Sequence, residues 1–192
     1  MILPPMVEQA LRRAEASGFT LSSEPEVGAL LACLAASVAP GGRILELGTG
    51  VGTGLAWLVH GLGGRTDVHV VSVDVDETLQ AHTRSAPWPP YVRFELGDGA
   101  DLVPGLGTFD LIFADAPGGK ITGLRDTIDA LCPGGMLVVD DMDVTRHDDA
   151  DLRLALTRVR ERLVADDRLV CAELAFSSGV IVAVRRRDGA ES

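Results

Sequence analysis

Arg43-Ile44-Leu45-Glu46-Leu47-Gly48-Thr49-Gly50-Val51-Gly52-Thr53-Gly54 is the stretch whose reading decides the fold. Its opening residues have the length and apolar character of a buried strand, and residues 52–62 have room for a helix. Glycines at such a junction let the backbone turn sharply and let a ligand approach with no Cβ in the way. Two ligand classes use this loop, dinucleotides and S-adenosylmethionine (SAM). The dinucleotide pattern wants a third glycine where this chain has Thr53. Glu46, two residues before the first glycine, would crowd a pyrophosphate but would pair with a sulfonium or ammonium group.

Working downstream, residues 68–73 read as a second strand that ends in Asp74, about 20 residues past the loop, where a carboxylate can hold ribose hydroxyls. Residues 91–96, 109–114 and 136–139 read as three more strands, and helices fit between them at 76–84, 98–102 and 119–131. Near-continuous apolar strands alternating with helices predict a parallel sheet covered on both faces. Residues 151–164 carry a helical apolar face, followed by strands at 169–176 and 180–187. Only Ser177-Ser178-Gly179 separates these last two, so they are antiparallel.

Upstream, residues 2–16 place Leu3, Val7, Ala10, Leu11 and Ala14 at helical spacing, and Gly18 stops the helix. Ser23-Glu24-Pro25-Glu26 reads as a capping box before a second helix carrying Val27, Leu30, Leu31, Leu34 and Val38. No linker or repeat divides the chain. Residues 1–192 therefore read as one domain, with N-terminal helices over 1–40 and a Rossmann-like core over 41–192.

Composition narrows the function. Hydrophobic residues make up 46% and charged residues 23% of 192 residues, the balance of a folded globular chain. A formal net charge of −11 repels phosphate backbones and argues against nucleic acid. No apolar run reaches the ~18 residues of a membrane span, and the N-terminus lacks a secretory pattern. Cys33, Cys132 and Cys171 are widely spaced, form no CxxC pair and read as reduced core residues, which points to the cytoplasm. His60, His69 and His82 fall on regular elements without metal spacing, whereas His147 falls in a loop beside Asp140-Asp141. Arg185-Arg186-Arg187 reads as a solvated strand end, and Trp88 among prolines as a loop anchor or lid.

Five segments, taken in order, resemble the class I SAM-dependent methyltransferases, in particular the catechol and caffeoyl-CoA type O-methyltransferases and their small bacterial relatives. They are Leu45-Glu46-Leu47-Gly48-Thr49-Gly50, Val73-Asp74-Val75-Asp76, Gly97-Asp98-Gly99-Ala100, residues 109–115, and Pro133-Gly134-Gly135-Met136-Leu137-Val138-Val139-Asp140-Asp141. The segment at 18–26 resembles the one that leads into that family's core. The resemblance implies an α/β, doubly wound seven-stranded sheet in the order 3-2-1-4-5-7-6, with strand 7 antiparallel and helices on both faces. It also implies a small-molecule methyl acceptor whose hydroxyl oxygen attacks the methyl group, and a homodimer, for which Met6, Val7, Ala10 and Leu11 offer an apolar face.

By the same resemblance, SAM is held by Glu46, Gly48, Thr49, Gly50, Gly52, Gly54, Asp74, Val75, Gly97, Asp98, Gly99, Ala100 and Asp115. Metal-dependent members hold Mg²⁺ or another divalent cation at strand ends that correspond to Asp115, Asp140 and Asp141, and Asp115 and Lys120 correspond to catalytic positions. Two departures stand out: Asp141 replaces the family's Asn, and Lys120 lies further along the chain from Asp115 than the family's lysine. The competing readings are an NAD-dependent oxidoreductase, which Thr53 and Glu46 oppose, and a non-catalytic SAM-binding fold.

Overall fold

The computed structural model describes residues 3–187. Two helices come first, α1 (Pro5–Ser17) and α2 (Pro25–Ser37), each with proline in its first turn. The core then runs β1 (Arg43–Leu47), α3 (Thr53–Leu62), β2 (His69–Asp74), α4 (Glu77–Arg84), β3 (Val92–Leu96), α5 (Gly99–Leu106) and β4 (Phe109–Ala114). A broken turn α6 (Pro117–Lys120), α7 (Leu124–Asp129), β5 (Leu131–Val139), a 3₁₀ turn η1 (Val144–Arg146), α8 (Ala150–Ala165), β6 (Leu169–Leu174) and β7 (Val180–Arg185) complete it. The sheet order is β3-β2-β1-β4-β5-β7-β6, parallel from β3 to β5, with β7 antiparallel to both of its neighbours. This is the order that the resemblance implies.

Strand alternation splits the core into two layers. Ile44, Val70, Leu111, Phe113 and Val138 face α1, α2 and α3. Leu45, Val71, Ile112, Leu137 and Val139 face the opposite cluster, which takes in Val103 of α5, Leu124 of α7 and Val159 of α8. The backbones of α2 and α3 approach closely at Gly61, where a Cβ would lie 2.1 Å from the Ala32 carbonyl oxygen. The dimer face named above is consumed here: Val7 and Ala10 are buried in this chain's own core, with Met6 and Leu11 packed against it.

Several local expectations need correction. Ser23 does not cap α2; Glu24 is the N-cap, without a side-chain cap bond, and the Ser23 hydroxyl donates to Asp115 Oδ2 at 3.4 Å. The helix expected over 119–131 is broken, because Gly119 (φ 89°) and Gly123 (φ 76°) are left-handed. β5 begins at Leu131, five residues early, and its register with β4 shifts between Phe109 and Leu111. β6 stops at Leu174, so the hairpin connection spans 175–179. Cys33 is exposed and Cys132 and Cys171 are partly exposed; Cys33 lies on α2 between buried Leu31 and Ala35, off the helix's buried side. The expected helix start at Ile2 and the ends of the 1–192 domain, residues 1–2 and 188–192, lie outside the described residues.

Candidate active site

Parallel strands carry their carboxyl ends to one edge of the sheet, and ligands gather where the strand order reverses. Here the order reverses between β1 and β4. Gly48 N donates to Val73 O at 2.9 Å, Asp115 N to Leu47 O at 2.9 Å, and Asp140 N to Ala114 O at 3.2 Å. These bonds bring the glycine loop, Asp74, Asp115 and Asp140 to the same rim.

A cavity of about 250 Å³ opens there, walled by Gly48, Thr49, Gly50, Gly54, Asp74, Val75 and Asp115, with Phe19, Leu21, Ser22 and Leu79 across from them. A second, of about 130 Å³, continues past Gly48, Asp74 and Val75 to Gly97, Asp98 and Gly99. The loop backbone is left-handed at Gly48 (φ 105°), Gly50 (φ 51°) and Gly52 (φ 83°), which side chains resist. Asp74 braces it: Oδ2 accepts from Gly50 N at 2.7 Å and Oδ1 from Asp76 N at 2.9 Å. Each oxygen keeps a lone pair for a ligand hydroxyl.

Three of the expected cofactor residues stand off this wall. Gly52 is the N-cap of α3, facing Thr83 and Trp88. Ala100 is turned into the start of α5, its N–H on Asp98 Oδ1 at 2.8 Å. Glu46 is fully buried beneath the loop: Ser72 Oγ donates to Glu46 Oε2 at 2.5 Å and lies 2.7 Å from Thr49 Oγ1. Burial pushes the Glu46 carboxyl well above its usual range, and Asp115 and Asp74 add to this. A carboxyl raised by folding contributes stability below the ordinary carboxylate range and loses it as pH rises through the raised value. Glu46→Gln should therefore lose less stability than wild type as pH is raised from acid to neutral, as read by urea denaturation at each pH. Parallel curves would mean that Glu46 does not titrate under the loop.

A third cavity, of about 270 Å³, lies on the other side of Asp115 and is walled by Thr20, Leu21, Ser22, Ser23, Glu24, Asp140, Asp141, Arg146, His147 and Ser178. Asp115, Leu21, Ser22 and Ser23 line both this cavity and the first. His147 is thus at the pocket, its Nε2 3.0 Å from Asp141 O. Glu24 ties the segment at 20–24 to the far wall by an ion pair with Arg146 at 2.6 Å and a bond from Ser177. The Arg146 guanidinium and the Ser177 hydroxyl hold Glu24 below its usual range. Trp88 is a packing anchor, its ring N–H on Thr83 O at 2.8 Å.

The Asp115 carboxyl is raised well above its usual range, first by loss of water and then by Asp140; burial also raises Asp140. Lys120 is only 5% exposed and lies outside the walls of both cavities. Its Nζ donates to Asp140 O at 3.2 Å and sits 3.9 Å from Asp141 Oδ2. Asp141 has φ 59°, a conformation that Asp tolerates better than most residues. Asp140 Oδ1 accepts from Ser178 Oγ and Asp141 N. Among the described residues, no three His, Cys, Asp or Glu side chains are grouped closely enough to hold a metal ion, although Asp115, Asp140 and Asp141 line one cavity.

Sequence reading missed Phe19, the 20–23 segment, Leu79, Arg146 and Ser178. Only the 18–26 resemblance signalled any of them.

The model of a family described as "Methyltransferase domain" matches residues 45–142. A Mycobacterium ulcerans protein named "Putative O-methyltransferase" is 34% identical over 176 residues, covering 84% of this chain and 76% of its own length. The O-methyltransferase TomG from Streptomyces achromogenes, solved with SAM, superposes with a TM-score of 0.81 at 22% identity, over 96% of this chain and 91% of its own. The methyltransferase PaMTH1 from Podospora anserina, solved with S-adenosylhomocysteine, gives 0.82 at 21% identity, over 97% and 89%.

Proposed function

The chain belongs to the family of methyltransferase domains, and from this we propose that it transfers a methyl group from SAM to a hydroxyl oxygen of a small molecule. The observation that carries the reading is that Asp115 lines two cavities at once, one cradled by glycines and one by polar side chains. The first fits SAM by its chemistry. It has loop backbone where a Cβ on Gly50 would meet Phe19 at 3.0 Å, a free-facing carboxylate at Asp74, and an apolar wall at Leu79 and Val75. Bound there, SAM supplies an electrophilic methyl group on a sulfonium.

The residues of the chain do the rest. Asp74 anchors the ribose hydroxyls while bracing the glycine loop. Gly97, Asp98 and Gly99 wall the adjoining cavity, which suits a flat base. Asp115, held by Ser23, sits where the acceptor hydroxyl must lose its proton, and its raised pKa makes its ionised form a stronger base than an ordinary carboxylate. Leu21 and Ser22, shared by both cavities, lie at the junction between cofactor and acceptor.

Titration calorimetry tests the cofactor assignment. Asp74→Ala removes charge-assisted hydrogen bonds worth ~1.5–3 kcal/mol each, so SAM affinity should fall at least about tenfold. Unchanged affinity in a folded variant would mean that the ribose lies elsewhere, and NAD binding tighter than SAM would replace this reading with the oxidoreductase.

The same proposal keeps the chain in the cytoplasm, supported by three free cysteines. No helix among the described residues is long and apolar enough to cross a membrane. A homodimer rests on resemblance alone, because the helix face that suggested it is packed internally. Light scattering at micromolar concentration decides it.

A further inference from the structure

We propose that the Lys120 ammonium, and not a divalent metal ion, supplies the fixed positive charge behind the polar cavity. The inference rests on reading that cavity as the acceptor site, but it concerns charge and is tested apart from methyl transfer.

Three observations carry it. The ammonium is buried, and it is held between the backbone oxygen of Asp140 and the carboxylate of Asp141. A cation is therefore already built in beside two of the aspartates that the resemblance assigns to a metal. Next, part of the carboxylate donor set already has partners within the protein. Asp140 Oδ1 is engaged by Ser178 and by Asp141 N, and Asp141 Oδ2 faces Nζ. Last, position 141 holds Asp where the resembling metal-dependent enzymes hold Asn. The added negative charge has Lys120 Nζ 3.9 Å away, with Arg146 also near it.

Its buried position outside the cavity walls sets Lys120 apart from the acceptor. It is a positioning residue: its charge faces the half-exposed Asp141 carboxylate at 3.9 Å and its Nζ bonds Asp140 O just past the end of β5. The broken turn α6 delivers it there. Gly119 takes φ 89°, and a Cβ on it would lie 2.4 Å from Leu47 Cδ1, so the chain can pass over β1 and drop Lys120 inside.

Mn²⁺ binding followed by electron paramagnetic resonance is the test, with SAM titration run on the same samples. Wild type should leave millimolar Mn²⁺ free. Lys120→Ala, which opens space and releases Asp141, should bind Mn²⁺ at least about tenfold more tightly, because a unit charge a few Å from the ion has gone. Lys120→Arg, which keeps the charge, should behave as wild type. If the alanine variant does not fold, Lys120→Gln carries the same expectation with the side-chain volume largely kept. Tight Mn²⁺ binding by wild type overturns the proposal, and so does equal, weak binding by wild type and by the folded neutral variant. A loss of SAM binding in wild type would instead count against the methyltransferase reading, leaving the charge assignment to the Mn²⁺ signal.

Discussion

Asp115→Asn is expected to lower the rate of methyl transfer by about 10²–10⁴-fold, the span that a positioned proton acceptor contributes. Asparagine keeps the shape at the junction of the two cavities and can still accept from Ser23, but it cannot take a proton. Assay with labelled SAM against a panel of small hydroxylated acceptors measures the loss. The pH profile separates this role from mere packing. Burial and Asp140 raise the Asp115 pKa, so wild-type kcat/KM should climb with pH through a point above the ordinary carboxylate range. That limb should vanish in Asp115→Asn. A variant that keeps both the rate and the limb would remove Asp115 from the chemistry.

Gly61→Ala is expected to destabilise the fold by about 3 kcal/mol or more, at the upper end of overpacking costs. The new methyl group would meet the Ala32 carbonyl oxygen at 2.1 Å and its Cα at 2.6 Å, both backbone atoms of the facing helix. Backbone cannot rotate aside as a side chain can, so α2 and α3 would have to separate. For a chain of this length the melting temperature should fall by roughly 6 °C or more. Calorimetry that finds a shift within a degree would show that the two helices tolerate a wider crossing. The neighbouring Gly28, whose Cβ would overlap the Trp57 ring at 2.1 Å, offers a milder contrast, since a side chain is the obstacle there.

The succession of strands and helices along the chain and the cofactor cleft were legible because their signals are local, whereas the order of strands across the sheet came from the resemblance. Strands such as 109–114 are short apolar runs, and the glycine loop is a contiguous stretch whose backbone needs are written in its own residues. Asp74 could be placed by counting from that loop. The acceptor side was legible only in part. Asp115, Asp140 and Asp141 could be placed at strand ends, but nothing in their spacing says that Ser178, from a hairpin turn 38 residues on, bonds Asp140, or that Glu24 pairs with Arg146 across 122 residues.

Glu46 and Lys120 show the same division most clearly. The sequence by itself determined the order of strands and helices, the glycine turn and the acidic strand ends, because hydrophobic period and backbone freedom are properties of neighbouring residues. It also suggested a carboxylate for the cofactor at Glu46 and a base at Lys120. Only the tertiary structure decided that Glu46 lies beneath the loop and Lys120 behind the cavity wall. A charged side chain beside a motif can point toward a ligand or into the protein. Which it does depends on the partners that meet it there, and Ser72 in β2 and Asp140 and Asp141 just past β5 are placed only by the sheet.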